Sequence, residues 1–184
     1  DRDMKRAMDH FFEVEPYASL KDMFNCYQVY AVSKNASYKS GSSTVFECRF
    51  GAGTLITGYN EKILLYAQKV DKIQNGNYSS WYTYVDGELY THYRDIPGGL
   101  LVVVVLNSTR YAGTCYSYLD GQAIAFCPLM EDDRSFAQVI NHEAGGHGFG
   151  RLADEYDGRY QVLTDDIAEE LNYFQNYGFY RNVD

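Results

Sequence analysis

The sequence predicts a single α+β domain spanning residues 1–184. Three observations lead there: amphipathic helical stripes and apolar strand-like runs alternate along the chain, two Asp-Gly pairs stand between apolar flanks as hairpin turns, and neither an internal repeat nor a linker divides the sequence. At 184 residues, 46 % hydrophobic and 16 % aromatic side chains are ample for one packed core.

Taken in order, DRDMKRAMDHFFEVEPY spaces Met4, Ala7, Met8, Phe11 and Phe12 at helical steps, so the spacing predicts a helix ending near Pro16 and lying on a sheet. FNCYQVYAVS, residues 24–33, is rich in aromatic and branched side chains and reads as a strand, as does TVFECRF around Phe46; SKNASYKSGSS between them is a polar loop. EKILLYAQKVDKI, residues 61–73, sets Ile63, Leu64, Ala67, Val70 and Ile73 on one stripe, a second helix. Asp86-Gly87 then marks a hairpin in a tyrosine-rich region. The unbroken apolar run in GLLVVVVLNS predicts a strand covered on both faces and central in its sheet. Asp120-Gly121 joins GTCYSYL to QAIAFCPL as another hairpin, whose second arm leads to VINHEAGGHGFGRLADEYDG. Beyond it, Thr164 caps a further helical start with Asp165 and Asp166 in its first turn.

Charge and hydropathy exclude several functions. With 16 basic against 25 acidic residues the net charge is −9, which repels phosphate backbones and anionic bilayers, so nucleic acid is not the partner. The longest apolar run, residues 100–106, is far short of the ~20 needed for a transmembrane helix, and no hydrophobic signal core follows DRDMKR, so a soluble chain is expected. Cys26, Cys48, Cys115 and Cys127 lack CxxC spacing; they read first as small buried hydrophobes, with one or two disulfides as the alternative.

The chemistry concentrates in HEAGGH. Zinc peptidases commonly use HExxH, two histidines one helical turn apart gripping a metal with the glutamate acting on a water. Here three residues, Ala144, Gly145 and Gly146, separate Glu143 from His147. Histidines five apart on an α-helix diverge by roughly 140°. A π-type turn closing i to i+5 realigns them, and Gly145 and Gly146 would tolerate it at about 1 kcal/mol each relative to alanine. An unstrained alternative makes Glu143 and His147, four apart, the ligands and demotes His142.

Catalytic zinc takes three protein ligands. His10 and His92 are the only other histidines and none follows His147, so a downstream third ligand is a carboxylate: Asp154 first, with Glu155 and Asp157 as competitors, reached through a turn that Gly148 and Gly150 permit; His10 or His92 would serve only in an unexpected fold. For these acids the plain alternative is a solvated charged loop.

These residues resemble the bacterial IgA-peptidase family of zinc metallo-endopeptidases, whose catalytic domain is similar to the metzincins. FFEVEPY, YQVYAVS, VVVVLNSTRYAGTCYSYLDGQAIAFCPL and NHEAGGHGFGRLADEY carry the resemblance in the same order, over nearly the whole chain and least between about 34 and 98. It implies a metzincin-like fold, a mixed twisted sheet with helices packed on it and a metal-binding active-site helix. It also implies one Zn2+ held by His142, His147 and Asp154, Glu143 as catalytic base, Glu155 in a supporting role, a protein or peptide substrate, and an extracellular, periplasmic or cell-surface location. By the same resemblance, residues 122–127 form the sheet edge on which a substrate peptide lies. Methionines stand at 4, 8, 23 and 130, so no methionine turn follows the motif, and the expectation is a catalytic domain lacking its C-terminal subdomain.

Two rival readings are carried beside it. One is a non-catalytic module recognising glycan or a surface protein through the aromatic run YSSWYTY, residues 78–84, which a hairpin with aromatic cross-strand pairs explains equally well. The other is an inactive peptidase-like relic, against which the presence of Glu143 argues.

Overall fold

The computed structural model describes residues 2–38, 44–68, 80–85, 88–93, 100–118 and 121–152. Its centre is a three-stranded sheet of β5 (Leu100–Leu106), β6 (Thr114–Ser117) and β7 (Gln122–Pro128), in the order β5-β7-β6. β7 runs parallel to β5, with Val103 opposite Ala125, and antiparallel to β6, with Cys115 opposite Ala125. The β6-β7 hairpin closes as expected from Asp-Gly: Tyr118 N–H donates to Gln122 O at 2.9 Å, and Gly121 takes φ 91°, which glycine adopts without a Cβ penalty.

All seven residues of β7 are buried, and their alternation divides the core. Ile124 and Phe126 face one layer with Val104, Leu106, Ile56 and α3 (Asn60–Gln68), whose Ile63, Leu64 and Leu65 fill it. Ala125 and Cys127 face the other, against α1 (Arg2–Phe11), α4 (Asp133–Val139) and a π-helix (Ile140–Phe149). Small side chains on that second face let the helix approach closely; Ala125 and Ala144 are both fully buried. The architecture is therefore mixed α+β with helices on both faces.

Three expectations are corrected. Residues 24–33 are not a strand: Tyr27, Val29, Tyr30 and Val32 are all exposed, so neither parity of the segment gains the burial that would hold it to a sheet. Around Phe46, pairing among the described residues is confined to β1 (Arg49–Phe50) with β2 (Ile56–Thr57). Within the central sheet β5 has one neighbour and β7 two among the described residues, so residues 122–127 are the middle of this sheet and not its edge. The apolar run of β5 reports covered faces, which helices supply; it carries no information on how many strands lie beside it in the plane.

Three lesser points complete the frame. α1 rests mainly on α4 and the π-helix, not on a sheet, although it touches β5. The first Asp-Gly does join a hairpin, β3 (Ser80–Val85) with β4 (Glu88–Tyr93), pairing Trp81 with His92 in register. The helical start at Thr164 lies outside the described residues, and no described helix is long and apolar enough to cross a membrane.

Candidate active site

α4 starts at an N-cap formed by Asp132, whose carboxylate accepts from the Ser135 N–H at 2.9 Å; that bond holds the Asp132 pKa below the usual carboxylate range. The helix then widens. From Ile140 to Phe149 it is π-helical, and the N–H of Gly150 reaches back five residues to Gly145 O at 2.8 Å. That is the distortion the five-residue histidine spacing demands. The regular α-helix required for Glu143 and His147 to share a face is not present here.

In this register the two imidazoles meet edge to face, with ring centroids 4.6 Å apart at 84° and Nε2 to Nε2 3.1 Å. Two nitrogens on a tetrahedral ion with bonds of about 2.0–2.1 Å stand roughly 3.3 Å apart, so the pair fits a shared metal. The opposite nitrogen of His147, Nδ1, lies 2.7 Å from Leu152 O. A carbonyl only accepts, so Nδ1 carries the proton and the Nε2 lone pair is directed at His142, the tautomer a metal ligand needs.

The turn after the helix sets that contact. Leu152 N–H returns to Gly146 O at 3.0 Å across Arg151, which takes φ 53° and donates through its guanidinium to Tyr118 O at 3.1 Å. The left-handed residue is thus an arginine, and the glycines serve another purpose than the predicted one. A Cβ at Gly148 would meet Leu101 Cδ1 at 2.6 Å, and one at Gly150 would meet Gly146 O at 2.9 Å, so both exist for close approach.

Glu143 is buried at 7 % exposure beneath the loop leading into β6. A Cβ at Gly113 would lie 2.5 Å from Glu143 Oε1 and 2.6 Å from Val139 Cγ2; Gly113 is itself pinned by its N–H to Thr54 O at 3.1 Å. The carboxylate therefore occupies the space that a side chain at 113 would take. Sequence reading gave this glycine no role, because its partner is brought to it only by the sheet.

Tyr17 is the second residue not anticipated. Its buried hydroxyl donates to Gly145 O at 2.7 Å, and its ring lies against Phe11 at 4.6 Å and Phe149 at 5.7 Å. Burial pushes its pKa up, so the phenol is a donor through the neutral range.

The other candidates fall elsewhere. His10 is buried between Glu13 at 3.0 Å and Asp133 at 3.1 Å, tying α1 to α4. Burial alone would lower its pKa, but those two carboxylates outweigh it and the net shift is upward. Asp154, Glu155 and Asp157 lie outside the described residues, and among the described residues no three His, Cys, Asp or Glu side chains cluster as a metal site. All four cysteines are free thiols, with Cys48 and Cys127 buried and Cys26 exposed. Cys115 is half-buried under the π-helix, and burial first, with the negative charge of Glu143, raises its pKa to about 12.

Paired imidazole nitrogens with a buried carboxylate adjacent in sequence, on a helix under a mixed sheet, make up the kind of site that metal-assisted hydrolases use. Residues 1–170 match the family IgA Peptidase M64, and the chain belongs to that family. Its class is that of a metallopeptidase, which acts on protein or peptide chains with the help of a metal ion. No curated protein and no solved structure matches the chain.

Proposed function

We propose that the chain is a zinc-dependent endopeptidase of metzincin-like design, with one Zn2+ held by His142, His147 and Asp154 and with Glu143 as general base. The observation that carries this reading is the pair of Nε2 atoms 3.1 Å apart on a π-helix, with Glu143 buried one residue after the first histidine. Bound there, zinc supplies a Lewis acid that polarises the scissile carbonyl and makes water a competent nucleophile near neutral pH.

The remaining work falls to the chain itself. The Glu143 carboxylate takes the proton of the attacking water and hands it to the leaving amine, a transfer that requires it to stay in one place. Gly113 bounds its position on one side. The Leu152 carbonyl holds His147 in one tautomer. Asp154 follows Leu152 by two residues, a span of at most roughly 7 Å, so a chain already in contact with His147 has little distance to cover.

Peptide binding suits β6. The Tyr118–Gln122 bond fixes the alternation along the hairpin, so the backbone groups of Cys115 and Ser117 point away from β7. An extended peptide adding there gains main-chain hydrogen bonds regardless of its sequence. Substrates are exported or host proteins, and the chain works outside the cytoplasm, at a cell surface or in the periplasm; both points rest on the family resemblance.

Zinc content of the purified chain beside His147→Ala and Asp154→Ala tests the site. One equivalent in the wild type, lost in both variants, is expected; retention in Asp154→Ala would transfer the third position to another group. Glu143→Gln should abolish cleavage of a peptide library with zinc still bound, and retained turnover would end the general-base assignment.

A further inference from the structure

The carbonyl of Gly145 accepts twice. The Gly150 N–H supplies the five-residue closure at 2.8 Å, and the Tyr17 hydroxyl, from a segment 128 residues away in sequence, approaches at 2.7 Å. The ring also defines the space around that turn: a Cβ at Gly145 would come within 3.0 Å of Tyr17 Cε2, and one at Gly150 within 3.4 Å of its oxygen. Tyr17 thus touches both ends of the wide turn that contains His147. A buried phenol needs a partner, but any carbonyl of the core would serve for that. This one accepts the five-residue closure that ends the π-helix.

We infer that Tyr17 is a positioning residue for the metal site, holding the turn of residues 145–150 in its π register and so fixing the distance between His142 and His147. The inference rests on the metallopeptidase reading and adds a residue to it. α-Helical closure would move the acceptor to a four-residue partner and swing His147 away from His142; the second hydrogen bond on Gly145 O favours the wide form. Leu152 depends on the same turn, since its N–H is bound by Gly146 O and its own carbonyl orients His147.

Tyr17→Phe is the test, because it keeps the ring against Phe11 and Phe149 and removes only the hydroxyl. Zinc affinity by chelator competition should weaken roughly 10- to 100-fold, the range for groups that orient ligands. The spectrum of the cobalt(II)-substituted protein should shift, while the metal-free urea midpoint changes little because Gly145 O keeps its Gly150 donor. Phe11→Leu, which loosens the ring's packing and leaves the hydroxyl, should lower the urea midpoint and leave zinc affinity within twofold. Wild-type zinc affinity and an unaltered cobalt spectrum in Tyr17→Phe would overturn the inference even with His147→Ala metal-free. If the wild type itself takes up no zinc, the peptidase reading fails first, and this inference with it.

Discussion

Replacing Gly113 with alanine adds one methyl group at the most crowded point of the site. Its Cβ would sit 2.5 Å from Glu143 Oε1, 2.6 Å from Val139 Cγ2 and 2.9 Å from Glu143 Cγ, where ordinary contact begins near 3.4 Å. Something must move by close to 1 Å. The loop is held by the Gly113 N–H to Thr54 O, so the yielding partners are the glutamate and the valine. Overpacking of this kind costs about 1–3 kcal/mol. For a chain of this size that lowers Tm by roughly 2–12 °C, at about 2–4 °C per kcal/mol. A catalytic group displaced by ~1 Å loses on the order of 100-fold in rate. The expected result is therefore a folded, zinc-loaded protein whose kcat on a quenched-fluorescent peptide substrate falls about 100-fold with KM little changed. Gly113→Ala combined with Val139→Ala relieves the aliphatic half of the clash only, so it should recover melting temperature without recovering rate. Wild-type kcat in Gly113→Ala, or rate recovered together with stability in the double variant, would refute the claim that the missing side chain makes room for the carboxylate.

Further expectations concern stability. A Cβ at Gly146 would meet only Asn141 O, at an ordinary 3.8 Å, so Gly146→Ala should stabilise by about 0.4–1 kcal/mol in urea unfolding, whereas Gly145→Ala, against Tyr17 at 3.0 Å, should destabilise. Phe126 is fully buried at the centre of β7, and Phe126→Ala should cost about 3–5 kcal/mol, read from the same unfolding curves. The His10 pKa is raised in the folded state, so its stabilising tie between α1 and α4 is complete below the unfolded value near 6.5 and is lost as pH rises through the folded value. Melting temperatures of wild type and His10→Gln should accordingly converge from pH 6 to pH 8; a constant gap would remove the ionic part of that tie.

Much of this was legible in the sequence because the signals are local. The stripe of α1, both Asp-Gly hairpins and the need for a five-residue closure at HEAGGH follow from spacing alone. Three failures share a cause. Hydropathy reports whether a face is covered, so β5 was readable as a strand packed on both faces, though most of its residues are only partly buried, and its place beside a single neighbour was not readable. Aromatic and branched residues at 24–33 have strand propensity and find no edge to pair with among the described residues. Gly148 and Gly150 were read as sources of freedom and Gly113 was given no role, whereas all three are places where another group comes too near for a side chain, and the left-handed turn falls to Arg151. Close approach between distant residues leaves no mark on spacing. Gly113 with Glu143, and Tyr17 with Gly145, became visible only once the sheet and helices were assembled.

The π-helix bears on what kinds of change this chain can absorb. A residue inserted into an α-helix rotates everything beyond it by about 100° and carries the apolar stripe off the core. Here Phe136 on α4, with Ile140 and Ala144 in the π-helix that follows it, all face the same layer as Ala125. Gly146, between the two histidines, has no side chain for this packing to use, and a Cβ there would meet only Asn141 O, at 3.8 Å. Deleting Gly146 would leave HEAGH, the four-residue histidine spacing of an ordinary α-helix, with both imidazoles again on one side. Length variation is usually left to loops; here the expected outcome is that a one-residue deletion in the active-site helix keeps the histidine pair together.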